Sequence, residues 1–260
     1  MKIGIVTWNS GERHKLFMEQ AHPEMETTIV ADSASDEEKI EACRDVEAII
    51  MVAASISVEV LKSCPEVKLL QGIGAGFDKV DVKAINALGI PYANNGGSNA
   101  IPVAEFTLSL ITGIARGVFR GVQNAKEGNW NSGLRETPSW EITGKCIGII
   151  GMGAIGQRVA KMLVGYDCDT VYYKRHRLSS GLEHKLHARY LPLNELLQIS
   201  DVVTMHNSLN NSTIGMIGRE QLAMMKPSSF LINTTRGACI DQQALYESLI
   251  DGRIAGAGLD

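Results

Sequence analysis

The sequence predicts an α/β protein made of two lobes, each built on a parallel sheet. Three observations lead there. Short apolar runs alternate with helical patterns along almost the whole chain, which is the spacing of repeated strand–helix–strand units. A polar, glycine-rich stretch, Asn94-Asn95-Gly96-Gly97-Ser98-Asn99, separates two such series and reads as a linker. The length of 260 residues fits one or two domains at about 150 residues each.

In the first series, residues 3–7, 28–31, 48–53, 67–71 and 90–93 read as strands. Residues 37–43, 57–63 and 80–88 read as helices, the last stopped by Gly89. A long helix opens near Ile101, with Pro102 in its first turn, where a missing N–H costs nothing. Val103, Phe106, Leu110 and Ile114 lie three or four apart on one face, and the helix is expected to continue to about Lys126. The second series has strands at 145–150, 170–173, 201–206, 229–233 and 254–258. Its helices are expected at 154–164, 193–198, 219–225 and 242–251. The expected division is residues 1–97 and 98–260.

Composition excludes several classes. Apolar residues make up 45% and charged residues 21%, so the chain can bury a core. A net charge of -4 speaks against a dedicated nucleic-acid binder and against a polybasic membrane-surface protein. No window approaches the ~20 apolar residues of a membrane span. The N-terminus turns polar at Trp8-Asn9-Ser10-Gly11, too early for a secretory leader. The five cysteines, Cys43, Cys64, Cys146, Cys168 and Cys239, are scattered with no C-x-x-C pair, which suggests reduced thiols and a cytoplasmic location.

Gly151-Met152-Gly153-Ala154-Ile155-Gly156 follows an apolar strand and opens a helix. In a dinucleotide site Gly151 allows the tight turn and Gly153 lets backbone approach the pyrophosphate. Gly156 allows close helix–strand packing. The pyrophosphate sits on the free N–H groups of the helix start, at Ala154 and Ile155. The plain alternative is a structural turn in a sheet that binds nothing. The next strand ends in Lys174-Arg175-His176-Arg177, with Lys174 23 residues after Gly151. An NAD site usually has Asp or Glu here, accepting from the ribose 2′-hydroxyl. Cations here suit a 2′-phosphate instead, because Arg clamps it with parallel hydrogen bonds. The expected cofactor is therefore NADP, with NAD as the alternative, and the competing reading is a solvated basic loop.

Two other features are set aside. His184 and His187 lie three apart and could share a helix face, but zinc needs three or four ligands and no third stands at motif spacing. No metal is expected. Cys239 lacks a base partner in sequence and reads as a small buried thiol.

Further segments resemble one family. They are Gly74-Ala75-Gly76-Phe77-Asp78-Lys79-Val80-Asp81 with Gly89-Ile90, then Ser98-Asn99 through Val103-Ala104-Glu105. Trp140-Glu141-Ile142-Thr143-Gly144-Lys145 leads into the glycine loop. Leu231-Ile232-Asn233-Thr234-Thr235-Arg236-Gly237-Ala238 follows, then Asp241 and Gly256-Ala257-Gly258-Leu259-Asp260. From about Glu47 onward the chain resembles the D-isomer-specific 2-hydroxyacid dehydrogenases, with a likeness to glyoxylate and hydroxypyruvate reductases. The resemblance implies a flavodoxin-like substrate domain at 1–97 and a Rossmann doubly wound dinucleotide-binding domain at 98–260. It implies hydride transfer between NADP(H) and a small 2-oxo acid. Ala75 and Gly76 match the turn whose amides hold the substrate carboxylate, and Arg236 matches the catalytic arginine. On spacing alone Arg236 could equally be a surface ion-pair residue. His206, Asn207 and Ser208 match a loop that passes the cofactor. The family usually has Pro in place of Ser208, so that loop's shape does not carry over. Thr234, Thr235 and Asp260 match positions near the nicotinamide end.

The family's glutamate and histidine, which complete the active site after the arginine, would follow Asp260, and the second domain is expected to be incomplete at its C-terminus. His206 is not carried over to the proton-donor role. Family members are usually dimers, and the helix from Ile101 and the segment from Trp130 to Trp140 are the expected contacts. Trp140 could instead pack within its own lobe. The rival reading is a non-catalytic, dinucleotide-binding interaction protein, like the corepressors that resemble this family, or an inactive fragment. Phosphite dehydrogenases fit less well, because they have lysine where this chain has Ala75.

Overall fold

The structure, a computed structural model, describes residues 1–8, 19, 22–129 and 139–260. Asn9, Ser10, Gly11 and Trp130 lie outside the described residues. The chain divides into two compact units, Met1–Ser98 and Asn99–Asp260.

The first unit is a sheet of β1 (Lys2–Thr7), β2 (Glu26–Ala31), β3 (Ala48–Val52), β4 (Leu69–Gly72) and β5 (Tyr92–Ala93). Its order is β2-β1-β3-β4-β5, and every pairing is parallel. Strand order reverses at β1, so the crevice for a ligand opens at the carboxyl ends. Helices α1 (Asp36–Cys43), α2 (Val58–Lys62) and α3 (Val82–Ala87) connect the strands. Their starts follow from sequence. Ser35 and Glu38 form a reciprocal capping box, and Ser57 and Asp81 each accept from the third residue of their helix. The core closes on Val6, Ile49, Val60, Leu70 and Ile85, with the thiols of Cys43 and Cys64 buried among them. Burial pushes Cys43 up to about 11 and raises Cys64 as well.

The second unit begins with α4 (Ala100–Ala115) and α5 (Val118–Lys126). The single helix expected to reach Lys126 is two helices, bent by 67°. The break falls at Gly117, whose φ of +65° is left-handed and open to glycine at little cost. The buried stripe of α4 is also one position away from the expected one. Ala104, Thr107, Ile111 and Ala115 face inward, while Phe106 is exposed. Helix α4 packs on α6 (Ala154–Leu163), where small residues allow the closer approach.

The sheet of this unit has β6 (Cys146–Ile150), β7 (Asp169–Tyr173), β8 (Ala188–Tyr190), β9 (Val202–Met205), β10 (Phe230–Asn233) and β11 (Gly256–Leu259). It is parallel in the order β11-β10-β9-β6-β7-β8. Helices α7 (Ser180–Leu186), α8 (Leu193–Ile199), α9 (Arg219–Met224) and α10 (Gln242–Ile250) complete it. The α7–β8 pair has no counterpart among the expected elements. Trp140 packs on Phe230 at 5.6 Å between ring centroids, with the Lys145 ammonium 5.5 Å from its ring, so it sits within its own unit. None of the five cysteines is in a disulfide. Burial pushes Cys168 up to about 11 and raises Cys146 too. Among the described residues no single helix is long and apolar enough to cross a membrane.

Candidate functional site

At the carboxyl end of β6 the chain turns at Gly151, whose N–H donates to the Tyr173 carbonyl at 2.9 Å. Its φ is +96°, and a Cβ there would lie 2.5 Å from the backbone of His206 and Asn207. A Cβ on Gly156 would land on the Gly151 carbonyl oxygen, so the start of α6 rests directly on the turn. Gly153 is different. It is the N-cap of α6, and a Cβ there would meet nothing within 4 Å. The amides of Ala154 and Ile155 open the helix beside that space, in the first turn, where N–H groups lack intrahelical partners.

A cavity of about 540 Å³ lies in front of this turn. Gly151 and Gly153 form one wall, Lys174, Arg175 and His176 another, and His206, Asn207 and Ser208 a third. The structure thus gathers eight of the expected cofactor residues around one space. Two buried polar atoms on that third wall, His206 Nδ1 and Asn207 Oδ1, have no hydrogen-bond partner among the described residues. Open space over Gly153, unspent polar atoms and a cationic edge fit a dinucleotide.

His206 is buried, with Nε2 3.0 Å from the Thr204 hydroxyl. Burial lowers its pKa to about 4, so it is neutral near pH 7. Asn207 Nδ2 donates to the buried Cys239 thiol at 3.3 Å, which makes Cys239 part of the loop's support. Ser208, in the proline position, is held instead by its carbonyl, which accepts from Thr213 Oγ1 at 2.8 Å. Asn210, Ser212 and Thr213 form the facing edge of the cavity, and sequence reading missed them. Their signal was an Asn-Asn-Ser-Thr run, a residue type that bonds its own backbone in turns. Asn210 Oδ1 accepts from Ser212 N and Oγ at 2.9 and 2.6 Å, and Ser212 Oγ in turn accepts from Arg175 Nη2 at 3.2 Å.

At the end of β10, Thr234 is buried with its hydroxyl 3.2 Å from that of Thr107. Asn233, missed as a functional residue, braces Thr235 and Arg236. Its Oδ1 accepts from Thr235 N and Oγ1 at 2.9 and 2.7 Å, and its Nδ2 donates to the Arg236 carbonyl at 3.0 Å. The Arg236 side chain is exposed, and Nη1 donates to the Thr235 carbonyl at 2.9 Å. Asp260 follows β11, and its N–H donates to the Asn233 carbonyl at 3.0 Å.

In the first unit, Gly74-Ala75-Gly76 follows β4. Asn94 Nδ2 donates to the Ala75 carbonyl at 2.8 Å, and Asn95 N to the Gly74 carbonyl at 3.2 Å. The stretch expected as a linker therefore starts by bracing this turn. The N–H groups of Ala75 and Gly76 meet no acceptor among the described residues, so the turn can receive an anion.

His184 and His187 do not share a helix face. His187 is the left-handed cap that ends α7, with its ring stacked 6.2 Å from that of His184. Among the described residues no group of three His, Cys, Asp or Glu could hold a metal ion.

The family model for the D-isomer specific 2-hydroxyacid dehydrogenase NAD binding domain matches residues 108–260. A glyoxylate reductase of Korarchaeum cryptofilum is 36% identical over 224 residues, 85% of this chain and 67% of that protein. A hydroxypyruvate reductase of Thermotoga maritima is 30% identical over 236 residues, 90% of this chain and 75% of that one. Among solved structures, D-lactate dehydrogenase from Aquifex aeolicus, complexed with NAD and lactic acid, has a TM-score of 0.85 at 25% identity. That match covers 99% of this chain and 76% of the other. The cavity in front of the glycine turn agrees with these matches, which make the chain a member of the D-isomer-specific 2-hydroxyacid dehydrogenase family.

Proposed function

We propose that this protein is an NADP-preferring reductase of small 2-oxo acids such as glyoxylate or hydroxypyruvate, acting in the cytoplasm as a homodimer. The observation that carries the cofactor preference is the edge of the cavity at Lys174, Arg175 and His176. A carboxylate there would repel a 2′-phosphate, whereas Arg175 presents a charged fork already oriented by Ser212. The names of the glyoxylate and hydroxypyruvate reductase relatives support the substrate class. Exposed Val118, Phe119 and Val122 on α5 support an association of two copies.

A bound nicotinamide supplies the hydride. The chain's residues bind and orient. Gly151 and Gly153 let the pyrophosphate reach the amides of Ala154 and Ile155. Thr234, Thr235 and Asp260 flank the nicotinamide end. Arg236 takes the carboxylate and carbonyl of the acid, a task for a permanent, planar cation. In the first unit, the Ala75 and Gly76 amides offer hydrogen bonds to an anion. His206 is unsuited as proton donor, being buried, neutral and engaged by Thr204.

Titrating the purified chain with NADPH and with NADH tests the reading. NADPH is expected to bind at least about tenfold tighter, a difference of ~1.4 kcal/mol. Equal constants, or tighter NADH, overturn it.

A further inference from the structure

The four residues of the basic turn do not share one job. Lys174, Arg175 and His176 line the cavity, while Arg177 is bound elsewhere. Arg177 Nε and Nη2 donate to the two carboxylate oxygens of Glu183, both at 2.8 Å. The Glu183 side chain is only 11% exposed. It also accepts from the buried Tyr172 hydroxyl at 2.6 Å, and that hydroxyl accepts from the Leu178 N–H at 2.9 Å. The Arg177 guanidinium lies 5.7 Å from the Tyr190 ring, which packs edge-on against Tyr172.

This arrangement staples an arch. At its first end the Tyr173 carbonyl accepts from Gly151 N at 2.9 Å. At its second end Arg177 and Leu178 are both fixed, through Glu183 and Tyr172. Between these ends stand Lys174, Arg175 and His176. A mostly buried carboxylate is costly to keep, and apolar packing of similar volume serves stability as well. Geometry is what a bidentate pair adds.

We infer that Glu183 is a positioning residue for coenzyme selection: through Arg177 and Tyr172 it holds the arch so that Lys174 and Arg175 face the phosphate on the adenosine ribose. This rests on the NADP preference proposed above. Glu183 itself is not among the residues that line the cavity.

The experiment measures dissociation constants for NADPH and NADH on the wild-type chain, E183Q, R175A and the double variant. Wild type alone tests the preference. A wild type that binds both equally defeats that reading and the inference with it. Given a preference, E183Q is expected to weaken NADPH about tenfold and to leave NADH within about twofold. In the R175A background E183Q should add little, because the two act through one contact. Equal weakening of both coenzymes, no change, or full additivity with R175A overturns the inference while leaving the preference standing. Tyr172→Phe removes the hydroxyl that pins Leu178 and keeps the ring. It reads the same ratio with the same outcomes if E183Q does not fold.

Discussion

Two glycine turns end parallel strands in this molecule, one in each unit, and their glycines do opposite things. After β6, Gly151 and Gly156 are needed because backbone fills the space a side chain would take. After β4, Gly74 is uncrowded, and a Cβ there would find its nearest neighbour 4.0 Å away. The first turn uses glycine to bring chain segments together, and Gly153 beside it uses glycine to leave room. The second turn keeps amides open to solvent. One residue type thus serves packing in one place and access in another, and substitution separates the two.

The largest effect is expected at Gly156. Alanine there pushes on the Gly151 carbonyl, with no flexible side chain to yield, and should destabilise the second unit by about 3 kcal/mol or more. Thermal unfolding measures it, and an unchanged midpoint would mean the turn and helix are not in hard contact. Next comes the loop that presses on Gly151. Burial holds the folded-state pKa of His206 near 4, against an ordinary value of 6.5. Between these values the unfolded chain binds the extra proton, so stability falls as pH is lowered from about 6.5 towards 4. The loss is up to about 3 kcal/mol and is then constant below that window. His206→Gln should flatten this slope, and a variant whose stability follows the wild type across the window would break the argument. The smallest effects on stability belong to Gly153→Ala and Gly74→Ala, each expected within about 0.5 kcal/mol. Gly153→Ala should nevertheless weaken NADPH about tenfold, because its methyl enters the space over the helix start. Calorimetry on the two variants distinguishes them, since Gly74→Ala leaves coenzyme binding unchanged.

The alternation of strands and helices, the glycine loop and the basic turn were legible because each is a local pattern. What escaped depends on partners distant in sequence. Gly113 and Gly117 stand in one helical pattern, yet only the second ends the helix. A Cβ on Gly113 would meet the Phe119 ring, so the notch is filled from the neighbouring helix, which no periodicity reports. The inward stripe of α4 is Ala104, Thr107, Ile111 and Ala115, whereas sequence reading favours the larger Phe106. Strand β8 spans three residues, too short for a period. Arg175 and Arg177 look alike in sequence and differ through Ser212 and Glu183. Asn233 was visible within a motif, but its bracing of Arg236 needed the backbone geometry.

The native thiols carry a practical consequence for labelling chemistry. Alkylating reagents attack thiolates, and with a pKa of about 11 Cys43 and Cys168 hold roughly one thiolate in ten thousand at pH 7. Cys64 and Cys146 are shifted in the same direction, and Cys239 is enclosed beneath Asn207. A cysteine introduced on an exposed face will therefore capture a maleimide dye well before the native five. Fluorophores can then be placed on the wild-type background, without first replacing the native thiols, to follow coenzyme binding in real time.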